Sequence, residues 1–299
     1  MKIAITGGTG LVGKSLASSL IESGNEVIIL TRNDQQTNHQ SLKFIKWLHE
    51  DASPENELEG TDVFINLAGT TINTRWTDSA KSDILSSRIT ATNEVLRIIG
   101  LLSKRPKLLI NASAVGFYGV SEKVLFTEAQ PEPGSDFLAE TVMKWEQEAL
   151  RAENMGLRTV LCRFGIILDK EEGALPKMVM PYRLFAGGRI GSGRQWVSWI
   201  HLDDAVKAIH FVIGNENLKG AVNFTAPEPV RMDEFGKTIA DVVNRPHWIP
   251  VPTTALKAIL GEMSFLILYG QQAVPSKLTE QGFQFRYPTL KPALKQIYS

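Results

Sequence analysis

The sequence predicts an α/β fold, in which a doubly wound parallel sheet is accompanied by a smaller C-terminal lobe. The first observation is the opening stretch MKIAITGGTGLVG, where an apolar run leads into a glycine turn and then a helical pattern. The second is that short apolar runs alternate with helical patterns as far as residue 168, which is typical of parallel strands covered by helices on both faces. The third is a length of 299 residues, 43% of them hydrophobic, which is enough for a large core.

The glycine turn predicts a dinucleotide site. Gly8, Gly10 and Gly13 match the dinucleotide fingerprint, and Gly7 with Gly10 and Gly13 gives the wider spacing. A turn without Cβ atoms lets backbone N–H groups and a helix N-terminus approach a pyrophosphate. The whole turn is therefore expected to contact the cofactor, through Gly7, Gly8, Thr9, Gly10, Leu11, Val12 and Gly13.

The end of the second strand indicates which cofactor binds. Residues 14–23 form a helix that ends at Gly24, and residues 27–30 form an apolar strand that ends in Thr31 and Arg32. Enzymes that prefer NAD place an acid here for the ribose 2′-hydroxyl, but the next acid in this chain is Asp34. Because a guanidinium suits a 2′-phosphate, Thr31 and Arg32 favour NADP(H). The alternative is an arginine that is simply solvated at a strand end.

Two further segments carry residues to the same edge of the sheet. After a short third strand over residues 42–47, residues 62–69 form a strand that ends in Leu67, Ala68 and Gly69, where small residues allow close approach of a cofactor. A helix over residues 78–103 carries Arg88 on its apolar stripe. An inward Arg88 needs an anionic partner, either a phosphate or a carboxylate; otherwise the side chain extends to the surface.

The next strand, residues 107–112, places Ser113 at a carboxyl end, where open α/β sheets bind ligands. A helix over residues 136–152, capped by Ser135 or Asp136, and a strand over residues 158–168 complete the alternation. Residues 196–226 are expected to return to this core of residues 1–168. Residues 169–195 and 227–299, with helices over 231–243 and near 254–269, form the smaller lobe.

Composition argues against several classes of function. Lys plus Arg and Asp plus Glu are both 32, so there is no basic excess for nucleic acid or a membrane surface. Cys162 is the single cysteine and has no disulfide partner, and the chain enters a strand at once without a signal-like segment. We therefore expect a cytoplasmic protein with no membrane span. The five histidines are scattered, so no metal site is expected.

Several motifs resemble the extended short-chain dehydrogenase/reductase family of epimerases and dehydratases. They are TGGTGLVG, NLAG, Ser113 with Tyr118 and Gly119, Arg163 with Gly165, and IHLDDA. More narrowly, Arg75-Trp76, SAVGFYG, NFTAPEPV and GFQFRYP resemble its SulA-like, epimerase-family subgroup. The resemblance implies a Rossmann core, NADP(H) binding that includes Arg163, a C-terminal substrate lobe, and compatibility with a homodimer.

In that family a Tyr, with a Lys four residues later, takes a proton from the substrate. The corresponding pair here is Leu138 and Val142, or, with the register shifted by one, Phe137 and Thr141; neither register supplies it. The candidates for the missing role are Ser113, Tyr118 and, if buried, Glu140.

Two functions are compatible with these residues. One is an NADP(H)-dependent epimerase or oxidoreductase that acts on a small carbonyl or sugar-nucleotide substrate with a non-standard base. The alternative is an NADP(H)-binding regulatory protein whose catalysis is weak or lost.

Overall fold

A parallel sheet of seven strands forms the centre of the computed structural model, which describes residues 1–33, 35–130 and 132–299. Asp34, the first acid after the second strand, lies outside the described residues. The strands of the chain are β1 Lys2–Thr6, β2 Glu26–Thr31, β3 Leu42–Lys46, β4 Val63–Asn66, β5 Leu108–Ala114, β6 Leu125–Phe126, β7 Arg158–Phe164, β8 Ile166–Leu168, β9 Trp196–Val197, β10 Trp199–His201, β11 Gly220–Phe224, β12 Val230–Arg231 and β13 Gln272–Ala273.

The order across the sheet is β3-β2-β1-β4-β5-β7-β11, and all six pairings are parallel. This is the doubly wound Rossmann-like fold that the sequence predicts, with the strand order reversing at β1. The register places Thr6 beside Asn66 and Asn66 beside Asn111. Three polar residues therefore meet at the carboxyl edge, next to the point of reversal.

Helices connect these strands and cover both faces of the sheet. They are α1 Leu11–Glu22, α2 Glu55–Leu58, α3 Asp78–Leu101, α4 Phe137–Leu150, α5 Leu175–Arg183, α6 Leu202–Gly214, α7 Met232–Val242, α8 Thr253–Leu260, α9 Phe265–Leu268, α10 Ser276–Glu280 and α11 Leu290–Tyr298. The Asp136 carboxylate caps α4 by accepting the N–H groups of Leu138 and Ala139. The helix expected near 254–269 is interrupted, because Gly261 adopts a left-handed φ of 58° between α8 and a short 3₁₀ turn.

The apolar residues form separate cores for the sheet and for the smaller lobe. α1 and α6 pack on one face of the sheet, and α3 packs on the other. A further core joins α5, α7 and α11 around the fully buried Trp199. The predicted domain boundaries stay a prediction, and the chain crosses between the cores: β9 pairs with β12, whereas Leu278 and Phe283 pack into the core of the sheet.

A buried carboxylate attaches the C-terminal segment to the sheet domain. Asp204, in the first turn of α6, is fully buried and accepts the backbone N–H groups of Arg286 and Tyr287 at 2.7 and 2.8 Å. Its neighbour in the chain, Asp203, is half exposed and pairs with the Arg286 side chain. Among the described residues, no helix combines the length and apolar character needed to cross a membrane.

We expect Asp204→Asn to lower the free energy of unfolding by about 1–3 kcal/mol, because the amide presents an N–H where a backbone donor needs an acceptor. Denaturant unfolding followed by circular dichroism measures the loss. The matched control is Asp203→Asn, which should change stability by less than about 0.5 kcal/mol. Equal losses in the two variants would show that the buried carboxylate has no special role.

Candidate functional site

The glycine turn between β1 and α1 packs directly against the end of β4. Gly7 has φ 67°, and a Cβ there would lie 2.6 Å from the carbonyl carbon of Leu67. A Cβ on Gly13 would collide with the Gly7 carbonyl oxygen, and one on Gly8 would lie 2.7 Å from the Ile29 side chain. These three glycines are therefore required by the protein's own packing.

Gly10 is different, because the protein itself leaves room for a side chain there. A Cβ on Gly10 would lie 3.4 Å from the Gly7 oxygen, an ordinary contact, and the residue faces open space. Gly10 is also the N-cap of α1, and its lack of a side chain leaves the first N–H groups of the helix without a side-chain cap. This turn can receive an anion at a helix N-terminus, as a dinucleotide pyrophosphate requires.

Two cavities meet at this turn. The Arg32 cavity, about 1200 Å³, is lined by Thr9, Thr31 and Arg32 among others. The Ser113 cavity, about 540 Å³, is lined by Ser113, Leu138 and Val142 among others. Both share one set of residues from the turn and the end of β4: Gly7, Gly10, Leu67, Ala68 and Gly69. Leu11, Val12 and Gly13 line the Ser113 cavity, whereas Gly8 lines neither and packs on the sheet.

Arg32 and Arg88 bring positive charge to this cleft, one in each cavity. Arg32 is exposed at the end of β2, beside the buried Thr31. Arg88 lies in the wall of the Ser113 cavity and donates to the carbonyl oxygens of Thr70 and Ile84 at 3.1 and 2.8 Å. Within the described residues, no carboxylate pairs with Arg88, and burial lowers its pKa to about 10. The guanidinium stays charged at neutral pH and can pair with an anion in the cleft.

Ser113 is buried at the cavity wall and is backed by a charged pair. Its hydroxyl donates to Glu146 Oε1 at 2.5 Å, and Arg163 donates from Nε to Oε1 at 2.8 Å and from Nη2 to Oε2 at 2.7 Å. Burial opposes the charge of Arg163, but the hydrogen bonds and charge of Glu146 outweigh it and raise the pKa of the guanidinium. Ser113 is thus connected to a buried carboxylate that a fixed cation neutralises.

Besides Gly8, three predicted site residues lie away from the two cavities. Arg163 faces Glu146 and stacks 3.5 Å from the Phe117 ring centroid, because Glu146 supplies the anion that the guanidinium needs. Tyr118 is buried, stacks on Phe126 and donates to Asn223 Oδ1 at 2.8 Å, and burial raises its pKa. Glu140 is exposed on α4 and therefore lacks the burial that a role as the base requires.

Two apolar residues of α4 line the Ser113 cavity at the spacing of the family's proton-transfer pair. Leu138 and Val142, four residues apart, both line the Ser113 cavity, and a Cβ on Gly116 would lie 3.6 Å from Leu138 and 4.0 Å from Val142. Glu146 follows one turn later on the same face. This arrangement favours the register in which Leu138 and Val142 occupy the Tyr and Lys positions of the family.

A buried hydrogen-bond network connects the strand ends that form the cleft. The Asn66 amide donates to Asn111 Oδ1 at 2.6 Å and to Thr92 Oγ1 at 3.1 Å, while Asn66 Oδ1 accepts from Thr6 at 2.6 Å. The Trp145 indole also donates to Thr92. This network was not predicted from the sequence, although polar residues at the ends of three predicted apolar strands were a usable signal. Within the part of the chain that the structure describes, no cluster of three metal-ligating side chains occurs.

The comparisons with known proteins agree with this geometry. A model of the NAD dependent epimerase/dehydratase family matches residues 3–224, and a domain of unknown function, DUF1731, matches residues 251–297. The epimerase family protein YfhF of Bacillus subtilis (strain 168) is 50% identical over 297 residues, 99% of this chain and 98% of YfhF. The chain therefore belongs to the NAD-dependent epimerase/dehydratase family, within the extended short-chain dehydrogenases/reductases.

Two solved structures are also similar over this whole chain. The human epimerase family protein SDR39U1 (isoform 2), solved with NADPH, is 30% identical with a TM-score of 0.89, and the match covers 100% of this chain and 99% of that one. A nucleoside-diphosphate sugar epimerase from Corynebacterium glutamicum is 31% identical with a TM-score of 0.81, over 100% of this chain and 58% of that one.

We expect Glu146→Leu to lower the free energy of unfolding by about 3–5 kcal/mol, since Arg163 is then buried without a partner. The double variant Glu146→Leu/Arg163→Leu should lose clearly less than Glu146→Leu alone, which denaturant unfolding can measure. Glu140→Gln, on the exposed side of the same helix, is the control and should be nearly neutral. If the double variant loses as much stability as Glu146→Leu and Arg163→Leu together, the pairing is contradicted.

Proposed function

We propose that this protein binds NADP(H) in the cleft formed by the two cavities and catalyses hydride transfer on a carbonyl or hydroxyl group beside Ser113, as an epimerase or oxidoreductase. The observation that carries the proposal is Gly10: only this glycine of the turn is not needed by the packing of the protein, and it faces both cavities. Human SDR39U1, which is similar to this protein over the whole chain, was solved with NADPH, and this supports NADP(H) as the cofactor here. The cytoplasmic location and the homodimer stay predictions.

The charges of the cleft fit a phosphorylated dinucleotide. The N-terminus of α1 and the backbone of Gly10 would hold the pyrophosphate, Arg88 would supply a nearby cation, and Arg32 would meet the 2′-phosphate. Arg32 stands at the end of β2, where the acid typical of NAD-preferring enzymes is replaced. The nicotinamide end would extend toward Ser113, and the bound cofactor supplies or accepts the hydride.

Ser113 and Glu146 form a route for the accompanying proton. When an alcohol is oxidised, the substrate hydroxyl proton passes to Ser113 Oγ as the serine proton passes to Glu146 Oε1, 2.5 Å away. Carbonyl reduction runs the same transfers in reverse. Arg163 holds the carboxylate in place from its other side. This pair gives the lone serine the base that the missing tyrosine and lysine provide in related enzymes.

A regulatory, catalytically inactive NADP(H)-binding protein is the second candidate. It is favoured by Leu138 and Val142, which place apolar side chains where the family has its proton-transfer pair. In this case Ser113 and Glu146 only stabilise the fold. The two candidates share the cofactor cleft and differ in whether Ser113 touches a reacting oxygen.

We expect Arg32→Asp to weaken NADPH binding by roughly ten- to a hundredfold, because a carboxylate repels the 2′-phosphate, and to change NADH binding much less. Fluorescence titration of each reduced cofactor measures both dissociation constants. Arg105→Asp reverses an exposed charge that lines neither cavity and is the control. Equal loss for NADPH and NADH would eliminate the 2′-phosphate role of Arg32.

We expect Ser113→Ala to keep NADPH affinity within about threefold but to lower kcat by at least about a hundredfold for any carbonyl compound that the wild type reduces. NADPH absorbance over a panel of aldehydes, ketones and nucleotide sugars gives the rates. Thermal unfolding of Ser113→Ala, compared with that of the wild type, is the control for folding. A wild-type protein that binds NADPH but turns over nothing in the panel would favour the regulatory function.

A further inference from the structure

Four aromatic side chains line a space next to the proposed reaction site, and neither the cofactor nor the proton route uses them. Trp76 and Phe137 meet edge to face with ring centroids 5.3 Å apart, and Phe265 lies 6.5 Å from Trp76 and 5.0 Å from Tyr269. We call these four residues the aromatic wall. They line an outer cavity of about 590 Å³. Trp76 is held in place by its indole N–H, which donates to the Ile72 carbonyl oxygen at 3.0 Å.

The outer cavity adjoins the Ser113 cavity. Leu138, Phe265 and Tyr269 line both spaces, as does Asp136. A ligand whose reacting oxygen lies at Ser113 can therefore extend past Leu138 to the aromatic wall. Further apolar side chains line the Ser113 cavity, among them Val197, Met232 and Leu266.

The charges along this path do not favour a multiply charged anionic ligand. Among the described residues, the charged side chains that line the outer cavity are Asp136, Lys257 and Glu262. Glu262 pairs with Lys81, and the Asp136 carboxylate caps α4, so the helix N-terminus that faces this space already carries a negative charge. Arg88 lies against Gly69, on the cofactor side of the cleft. Lys81 lies 5.5 Å from the Phe137 ring centroid, but it is paired with Glu262. Lys257 is then the one lining cation with no carboxylate partner among the described residues, and a single ammonium does not neutralise a diphosphate.

We infer that the substrate is an uncharged, largely apolar carbonyl compound or alcohol, whose flat body packs on the aromatic wall, rather than a nucleotide sugar. The inference rests on the proposed function, because it places the reacting oxygen at Ser113. A diphosphate placed beside the Asp136 carboxylate would have only Lys257 to compensate its desolvation, since Lys81 is already paired with Glu262. Burying an aromatic or alicyclic ring among these side chains is favourable through both area and ring contacts.

The test compares two probes on protein saturated with NADP⁺: 2-acetonaphthone, a flat uncharged ketone, and UDP-glucose. Saturation-transfer NMR titrations should give a dissociation constant below about 1 mM for 2-acetonaphthone and at least about tenfold weaker binding for UDP-glucose. Phe265→Ala should weaken 2-acetonaphthone by about tenfold. Tyr269 is 44% exposed, so Tyr269→Ala should fold normally, and it should also weaken the binding of 2-acetonaphthone.

Trp248→Ala is the matched control, because Trp248 is an exposed aromatic residue that lines neither the outer cavity nor the Ser113 cavity. It should leave 2-acetonaphthone binding unchanged. Tighter binding of UDP-glucose, no binding of 2-acetonaphthone, or an affinity unchanged in both wall variants would overturn the inference. NADPH titration of the same proteins separates the two proposals. If the proteins bind NADPH but not 2-acetonaphthone, the substrate class is wrong and the cofactor site is retained. If the wild type does not bind NADPH, both proposals are refuted.

Discussion

The arrangement of the cleft depends on one buried side chain, Asn66 at the end of β4. Its amide and carbonyl oxygen bond to β1 through Thr6, to β5 through Asn111 and to α3 through Thr92. Because buried polar groups must be satisfied, these bonds resist any slip of the three strands at their carboxyl ends. Gly7 packs on the peptide between Leu67 and Ala68, directly after Asn66 and Leu67, so the network and the glycine turn hold each other in place.

Two inward arginines show how the same residue type can serve the fold or the site. Arg163 has its countercharge within the protein, in Glu146, and the pair fixes Ser113 at the cavity wall. Arg88 donates to two carbonyl oxygens and lies 5.1 Å from the Trp145 ring centroid, but among the described residues no carboxylate pairs with it, and it lines the cleft. A buried cation that the protein does not neutralise is poised for an anionic ligand, whereas one already paired is held by the fold.

The family's proton-transfer pair has been replaced by an apolar surface. Leu138 and Val142 on α4 line the Ser113 cavity where the family is expected to have a phenol and an ammonium, and Leu138 also lines the outer cavity beside the aromatic wall. In the proposed function, Ser113 and Glu146 take over the proton route of that pair. The proposed proton route and the proposed apolar substrate class then both depend on the same face of α4.

The sequence by itself determined the local elements and their order, because apolar periodicity, glycine turns and capping residues act over a few neighbouring positions. It thereby predicted the parallel sheet, the glycine turn and the edge at which Ser113 and Leu67 lie. The tertiary structure decided which way side chains point: Arg163 and Tyr118 turn to partners in the core, Glu140 turns to solvent, and Glu146 meets Ser113 from 33 positions away. Such pairings depend on packing between distant segments, and no local pattern encodes them.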